Sequence, residues 1–497
     1  MSSSSVMFQG RFAVSVVIHC LFGLSSYLQL AALNPIARHV QGFILGSFNS
    51  TYGHELGDVG LSVCWSATST SFYIGAMIGG LAFGKIADRI GRKSAVLLVG
   101  NGICIAAGLL QFCSVRLNLF ELLILGRLSF GVAAGCSGLV YVLTAECALS
   151  AKTGGFITTL LIIWARFIAA LGTALNFDFL LGNERWWPYS FLVPVPLAVV
   201  HMLTFFWLPD SPKHLYITRG LEKEAMESAK FYLGDEVDWP KRKLEYDAEK
   251  KLKASTLSNK DSLGQILRTR HLRWPFFLCL VAGAASTFGG VGVSNMYSTD
   301  LLLSFGLDDR TATLVTVAAL QLPAVLLSLV LSLSHAIDYL GRKPVYLFGL
   351  SLGILGTSLL FISGQLPANS TPLLAQILLA VSLLLTKLSL DFGPFMISGV
   401  LSVEIVPQSS RALTAGASNS VAWSGGVLVA LAYPPAFSLV GSWAALPLTF
   451  LCVLSFLLLL AFLPESNKKT VDEIVRRWKV APAPEVEIHT GTAKTTV

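Results

Sequence analysis

The chain has 497 residues, 54% of them hydrophobic and only 13% charged, with a formal net charge of +7. A soluble domain carries roughly 25% charged residues, so this composition, with a mean hydropathy of +0.66, excludes an ordinary soluble protein. The chain reads as an all-α integral membrane protein whose environment is the lipid bilayer, with no nucleic-acid partner.

Residues 1–11 form a short polar tail, expected to be disordered, and Ser2 denies it the glycine that N-myristoylation requires. A membrane-spanning helix needs about 20 mostly apolar residues. Twelve such runs can be placed, near 12–33, 63–83, 94–115, 121–144, 155–178, 187–208, 275–299, 312–334, 344–364, 372–403, 412–433 and 443–463. The first is too long, and too poor in a small-residue cleavage site, for a removable signal peptide. It holds no acidic residue, and the first carboxylate of the chain is Glu55. A polar loop over 34–61 follows, with the sequon Asn49-Ser50-Thr51; the other sequon is Asn369-Ser370-Thr371. The second to fifth runs are rich in glycine, among them Gly75, Gly79, Gly131 and Gly135, which predicts close helix packing. The stretch 209–273 is the one soluble-looking segment, with an amphipathic helix expected over Glu222 to Leu233 and interleaved charge from Lys241 to Lys253. After the last run, Pro464 opens a short helix and a tail to residue 497.

The chain repeats itself. Gly84-Lys85-Ile86-Ala87-Asp88-Arg89-Ile90-Gly91-Arg92-Lys93 is echoed by Asp338-Tyr339-Leu340-Gly341-Arg342-Lys343, each between two apolar runs. Leu208-Pro209-Asp210-Ser211 is echoed by Leu463-Pro464-Glu465-Ser466, and Glu146 by Glu404. Three features displaced by nearly one distance predict two six-helix pseudo-repeats, the parallel-repeat plan of secondary transporters. The expected organisation is a tail (1–11), a first bundle (12–208), a linker (209–273), a second bundle (274–463) and a terminal helix and tail (464–497). Threading the runs alternately puts the basic turns and the linker on one face. By the positive-inside rule that face is cytoplasmic, with both termini on it, and both sequons fall outside.

Eight cysteines lie scattered in apolar runs without ligand spacing. They read as small buried hydrophobes, with no metal site and no cofactor expected. No nucleophile, base and oxyanion-donor group appears, so the chain is not read as an enzyme.

The ordered motif series resembles the sugar-porter branch of the major facilitator superfamily, especially the animal facilitative glucose transporters. It comprises Asp88, Arg92 and Lys93, Gly126-Arg127, Glu146, Pro209-Asp210-Ser211-Pro212, Tyr297-Ser298-Thr299, Asp338, Arg342, Glu404 with Arg411, Ser418-Asn419 and Pro464-Glu465-Ser466. The resemblance implies facilitative, uniport transport of a small polar solute, a hexose or related sugar, by alternating access across the plasma membrane. It also implies ionic locks at the inner rim built from Asp88, Arg92, Lys93, Arg127, Glu146, Lys152, Asp338, Arg342, Glu404 and Arg411. Glu146 is expected to pair with Arg411 across the halves, and Lys152 to stand in as partner of Glu404.

At the sugar site the pattern breaks. The positions where glucose transporters present long amides and a Trp are here Leu161, Ser286, Thr287, Gly292 and Gly399. In their place stand intramembrane charges. Arg166 lies roughly 18 Å into the fifth run, and Lys387 and Asp391 lie one turn apart in the tenth. Charges at that depth face a cavity or a partner. The candidate solute-binding residues are therefore Ser286, Thr287, Asn295, Asp391, Asn419, Arg166 and Lys387. Two alternatives stand beside the hexose reading: a carrier of an organic anion, urate- or ascorbate-like, and a non-transporting nutrient sensor of the same fold. A third possibility is purely structural, with Lys387 and Asp391 neutralising one another.

Overall fold

The computed structural model describes residues 10–21, 25–148, 151–235, 237–258, 263–333, 339–367, 371–467, 469 and 473–474. The expected N-terminal tail, most of the C-terminal tail, Asp338 and the sequon residue Asn369 lie outside them, and so does the side chain of Lys152.

Among the described residues, eleven stretches are long and apolar enough to cross a bilayer. The last, Leu413–Phe462, is two helices in sequence, Gln408–Val440 and Leu446–Phe462, separated where Gly441 adopts φ +58°. Glu404 and Ser466 flank this pair and are hydrogen-bonded to each other, so the chain goes out and returns, and the spans among the described residues number twelve. Span 7 divides into Arg270–Phe288 and Val291–Ser304 at Gly290, φ +83°, and span 10 (Pro372–Phe392) gives way to Pro394–Glu404 at Gly393. Such breaks are tolerated in lipid only where protein covers the freed backbone. Gly290 is covered by Thr357 and Thr386, which a Cβ there would strike at 2.8 Å.

Glycine sets the core of the first half. Spans 2 (Asp58–Ile90) and 4 (Phe120–Glu146) cross so closely that a Cβ on Gly131 would stand 2.0 Å from the Phe72 carbonyl oxygen, and one on Gly75 2.0 Å from that of Leu128. With no hydrophobic drive between helices in lipid, close backbone approach replaces it as the packing force. Between the halves, span 2 packs along Gln408–Val440, and span 5 (Ala151–Ala174) along Leu322–Leu333 of span 8.

The duplication persists at the level of atoms. Gly91 (φ +99°) and Gly341 (φ +92°) each turn the chain into the third helix of a half, and each turn is capped by a carboxylate from the end of that half's sixth helix. Asp210 accepts from the Lys93 N–H (3.1 Å), and Glu465 from the N–H groups of Arg342 (2.9 Å) and Lys343 (3.0 Å). A Cβ on Gly91 would lie 2.5 Å from Asp210 Oδ2, and one on Gly341 2.8 Å from Glu465 Oε2. Glycine is required at both turns by φ and by the carboxylate's approach. Helix N-termini attract such anions through their unpaired N–H groups.

Candidate solute-binding site between the halves

At the middle of the bundle, spans 5, 7, 8 and 10 each contribute a polar side chain. Arg166 of span 5 donates through Nε (3.1 Å) and Nη2 (2.7 Å) to Oδ1 of Asp391 in span 10, and the pair joins the two halves. Lys387, one turn before Asp391, donates instead to Oδ1 of Asn295 in span 7 at 3.0 Å. The expected neutralisation of Lys387 by Asp391 is thus not what the structure holds, because the carboxylate reaches across to the other half. Gln321 of span 8 donates to Thr173 Oγ1 (3.0 Å), a second bond between the halves, while its Oε1 is buried with no partner. The space that Arg166, Asn295, Gln321, Lys387 and Asp391 line is about 30 Å³, room for a water or two. This centre is closed on its own side chains, and any solute larger than water needs the halves to part.

One end of the seam is latched. Asn34, just after span 1, donates to Ser298 Oγ (2.7 Å) and accepts from the Thr299 N–H (3.0 Å), and Thr299 and Thr316 continue the chain of hydroxyls. Above it, Arg38 and Asp309 form an ion pair at 2.7 Å, about 60% exposed on both sides.

The other end, which carries the linker, is organised differently. Glu146 pairs with Arg92 at 3.0 Å and accepts from Ser211 Oγ at 2.6 Å. Glu404 pairs with Arg342 at 3.2 Å and accepts from Ser466 Oγ. Both locks close within one half. The expected pairing of Glu146 with Arg411 across the halves is therefore replaced, since Arg92 leaves the Gly91 turn directly beside Glu146. Arg411 is half-buried, and its Nε has no hydrogen-bond partner. His214 joins the first lock, its Nδ1 2.6 Å from Arg92 Nη1. A guanidinium only donates, so Nδ1 accepts and the ring proton sits on Nε2. Burial lowers the His214 pKa, with the neighbouring Arg92 acting in the same direction.

The other residues singled out from the sequence go elsewhere. Ser286 spends its hydroxyl on the Gly283 carbonyl of its own helix, and Thr287 on the Ala422 carbonyl of span 11 (Gln408–Val440) at 2.9 Å, so neither lines the central space. Asn419 is exposed, beside Gly80 of the first half. Asp88 is exposed, and Lys93 lays its Nζ over the Phe205 ring at 4.1 Å. Arg127 is not at the rim: it is buried inside the first half, donating to the Gln29 carbonyl at 2.6 Å and lying over Phe72. Sequence reasoning missed Asn34, Gln321, Ser298 and Thr299 as inter-half contacts. Gln321 was visible as an amide in the apolar run 312–334, and Ser298 and Thr299 as part of the Tyr297-Ser298-Thr299 motif, but nothing in residue order gave their partner across the halves.

The family model described as "Sugar (and other) transporter" matches residues 13–478. The chain belongs to that family. It is a multi-pass membrane protein and a transporter, not an enzyme. The human protein named solute carrier family 2, facilitated glucose transporter member 9, is 28% identical over 458 residues, covering 90% of this chain and 82% of its own. Human member 5 is 28% identical over 450 residues, with 90% and 87% covered. Facilitated glucose transporter protein 1 of Caenorhabditis elegans is 26% identical over 473 residues, with 93% and 89% covered. The inward open conformation of the xylose transporter XylE from E. coli superposes with a TM-score of 0.72 at 18% identity, over 95% of this chain and all of that one. That likeness is one of fold.

Proposed function

We propose that this transporter is a facilitative carrier working by alternating access, and that its centre prefers a small polar solute bearing negative charge. The observation that carries the preference is the balance of groups there: two basic side chains, Arg166 and Lys387, face one carboxylate, Asp391. A solute carboxylate or enolate takes the place of the Asn295 oxygen at Lys387, or competes with Asp391 for Arg166. A buried charge left over by one is costly to keep unpaired, so an anion is favoured over a neutral solute of the same size. The basic linker face is read as cytoplasmic, at the plasma membrane. Uniport is supported by the lack of any acidic residue before Glu55.

A hexose is the second reading. It is favoured by the amides of Asn295 and Gln321, the latter with an unpartnered oxygen, and by the relatives named glucose transporters.

Uptake into proteoliposomes separates the two when glucose and gluconate are compared under an imposed membrane potential and, separately, a proton gradient. Gluconate uptake that follows the potential, and is lost in Lys387→Met, is expected. Saturable glucose uptake indifferent to Lys387→Met and Arg166→Met would overturn the anion preference. Uphill accumulation driven by the proton gradient would overturn uniport.

A further inference from the structure

A pocket larger than the central space lies elsewhere along the inter-half seam. At the latched end, above Asn34, lies a pocket of about 370 Å³ that opens to solvent beside Arg38 and Asp58. Its walls come from both halves: Trp65 from span 2, Tyr297 and Asp300 from span 7, and Tyr433 and Phe437 from span 11. A volume of this size falls in the range of pockets that hold small organic ligands.

The lining is specific in two ways. Three rings form a ladder along one wall: Tyr297 and Tyr433 stack with centroids 6.4 Å apart, and Tyr433 and Phe437 with centroids 5.9 Å apart. Tyr433 is 4% exposed, yet its hydroxyl has no hydrogen-bond partner. The Trp65 indole N–H lies beside the Asp300 carboxylate. A buried polar group left unmatched costs about 1–3 kcal/mol, so the Tyr433 hydroxyl is better accounted for by a guest than by the fold. The second feature is charge. Asp58 and Asp300 face the pocket as acids, and its one cation, Arg38, is held by Asp309 at 2.7 Å. Ring faces attract cations, so walls and acids select the same sign.

We propose that this vestibule is a binding site for an organic cation, an ammonium carried on an apolar or aromatic body, distinct from the central solute site. The ammonium sits between Asp300 and the ring ladder, and the apolar body fills the space towards Leu61 and Leu301. Because both halves supply walls, an occupant clamps the seam at this end. Only its sidedness, extracellular, rests on the orientation proposed above.

The test is binding rather than transport, so its failure and that of the anion-carrier reading are separable. The full chain in nanodiscs is titrated by calorimetry with benzyltrimethylammonium, with benzoate and with methyl β-glucoside. Saturable binding of the cation, at least about tenfold tighter than either other probe, is expected, with about a tenfold loss in Asp300→Asn. Comparable binding of benzoate or of the glucoside overturns the proposal, and so does full cation affinity in a folded Asp300→Asn. Should Asp300→Asn fail to fold, the comparison of the three probes on the unmodified chain decides alone.

Discussion

Removing Asp391 is the sharpest single perturbation of the centre. Its carboxylate takes two donations from Arg166, and the two side chains are only 8% and 15% exposed, which places the pair in the buried class. Breaking a buried pair from one side costs about 3–5 kcal/mol, whereas replacing both partners by apolar residues is often neutral. The Arg38–Asp309 pair, at about 60% exposure, belongs to the class worth about 0–1 kcal/mol. Asp391→Leu and Arg166→Met are each expected to lower stability by several kcal/mol. The double variant should recover most of it, for a coupling of at least about 2 kcal/mol. Denaturation of purified protein followed by tryptophan fluorescence measures the cycle. Arg38→Met with Asp309→Leu serves as control, with coupling below about 1 kcal/mol. Additive losses at Asp391 and Arg166 would refute the claim that this ion pair holds the halves together.

Three further outcomes are expected. Gly131→Ala puts a methyl on the Phe72 carbonyl and should cost at least about 2 kcal/mol or abolish folding. Gly138→Ala, where a Cβ meets nothing within 4 Å, should be neutral or stabilising in thermal melts. Because the His214 pKa lies below the ordinary 6.5 in the fold, the folded chain binds fewer protons there than the unfolded one. Its contribution is present above pH 6.5 and is lost as pH falls towards the lowered folded value. His214→Asn, which copies Asn467 at Arg342 in the second half, should keep the bond to Arg92 and flatten that part of the acid limb of the stability profile. Asn49 is exposed at the end of the helix Ala37–Tyr52; if this face is extracellular, glycosidase treatment should lower the apparent mass of cell-expressed protein and Asn49→Gln should abolish the shift.

The twelve spans, the duplication and the packing role of the glycines were legible from residue order, because insertion into lipid depends on local hydropathy and on backbone satisfaction within each helix. The presence of charge in spans 5 and 10 was equally plain. Its pairing was not. Lys387 and Asp391 sit on adjacent turns, and Arg166 is 225 positions from Asp391; which of them meet depends on how two helices are rotated and how near their axes come. The same holds at the linker face, where Arg92 rather than Arg411 reaches Glu146 because one glycine turn sets its direction. The outer vestibule is further still from anything a linear reading holds, since its walls come from three spans in two halves. Sequence alone determined which segments enter the membrane, since that is a sum over neighbouring residues. Only the tertiary structure decided which buried charges neutralise one another and which polar groups are left for a ligand, since those are distances between helices remote in the chain.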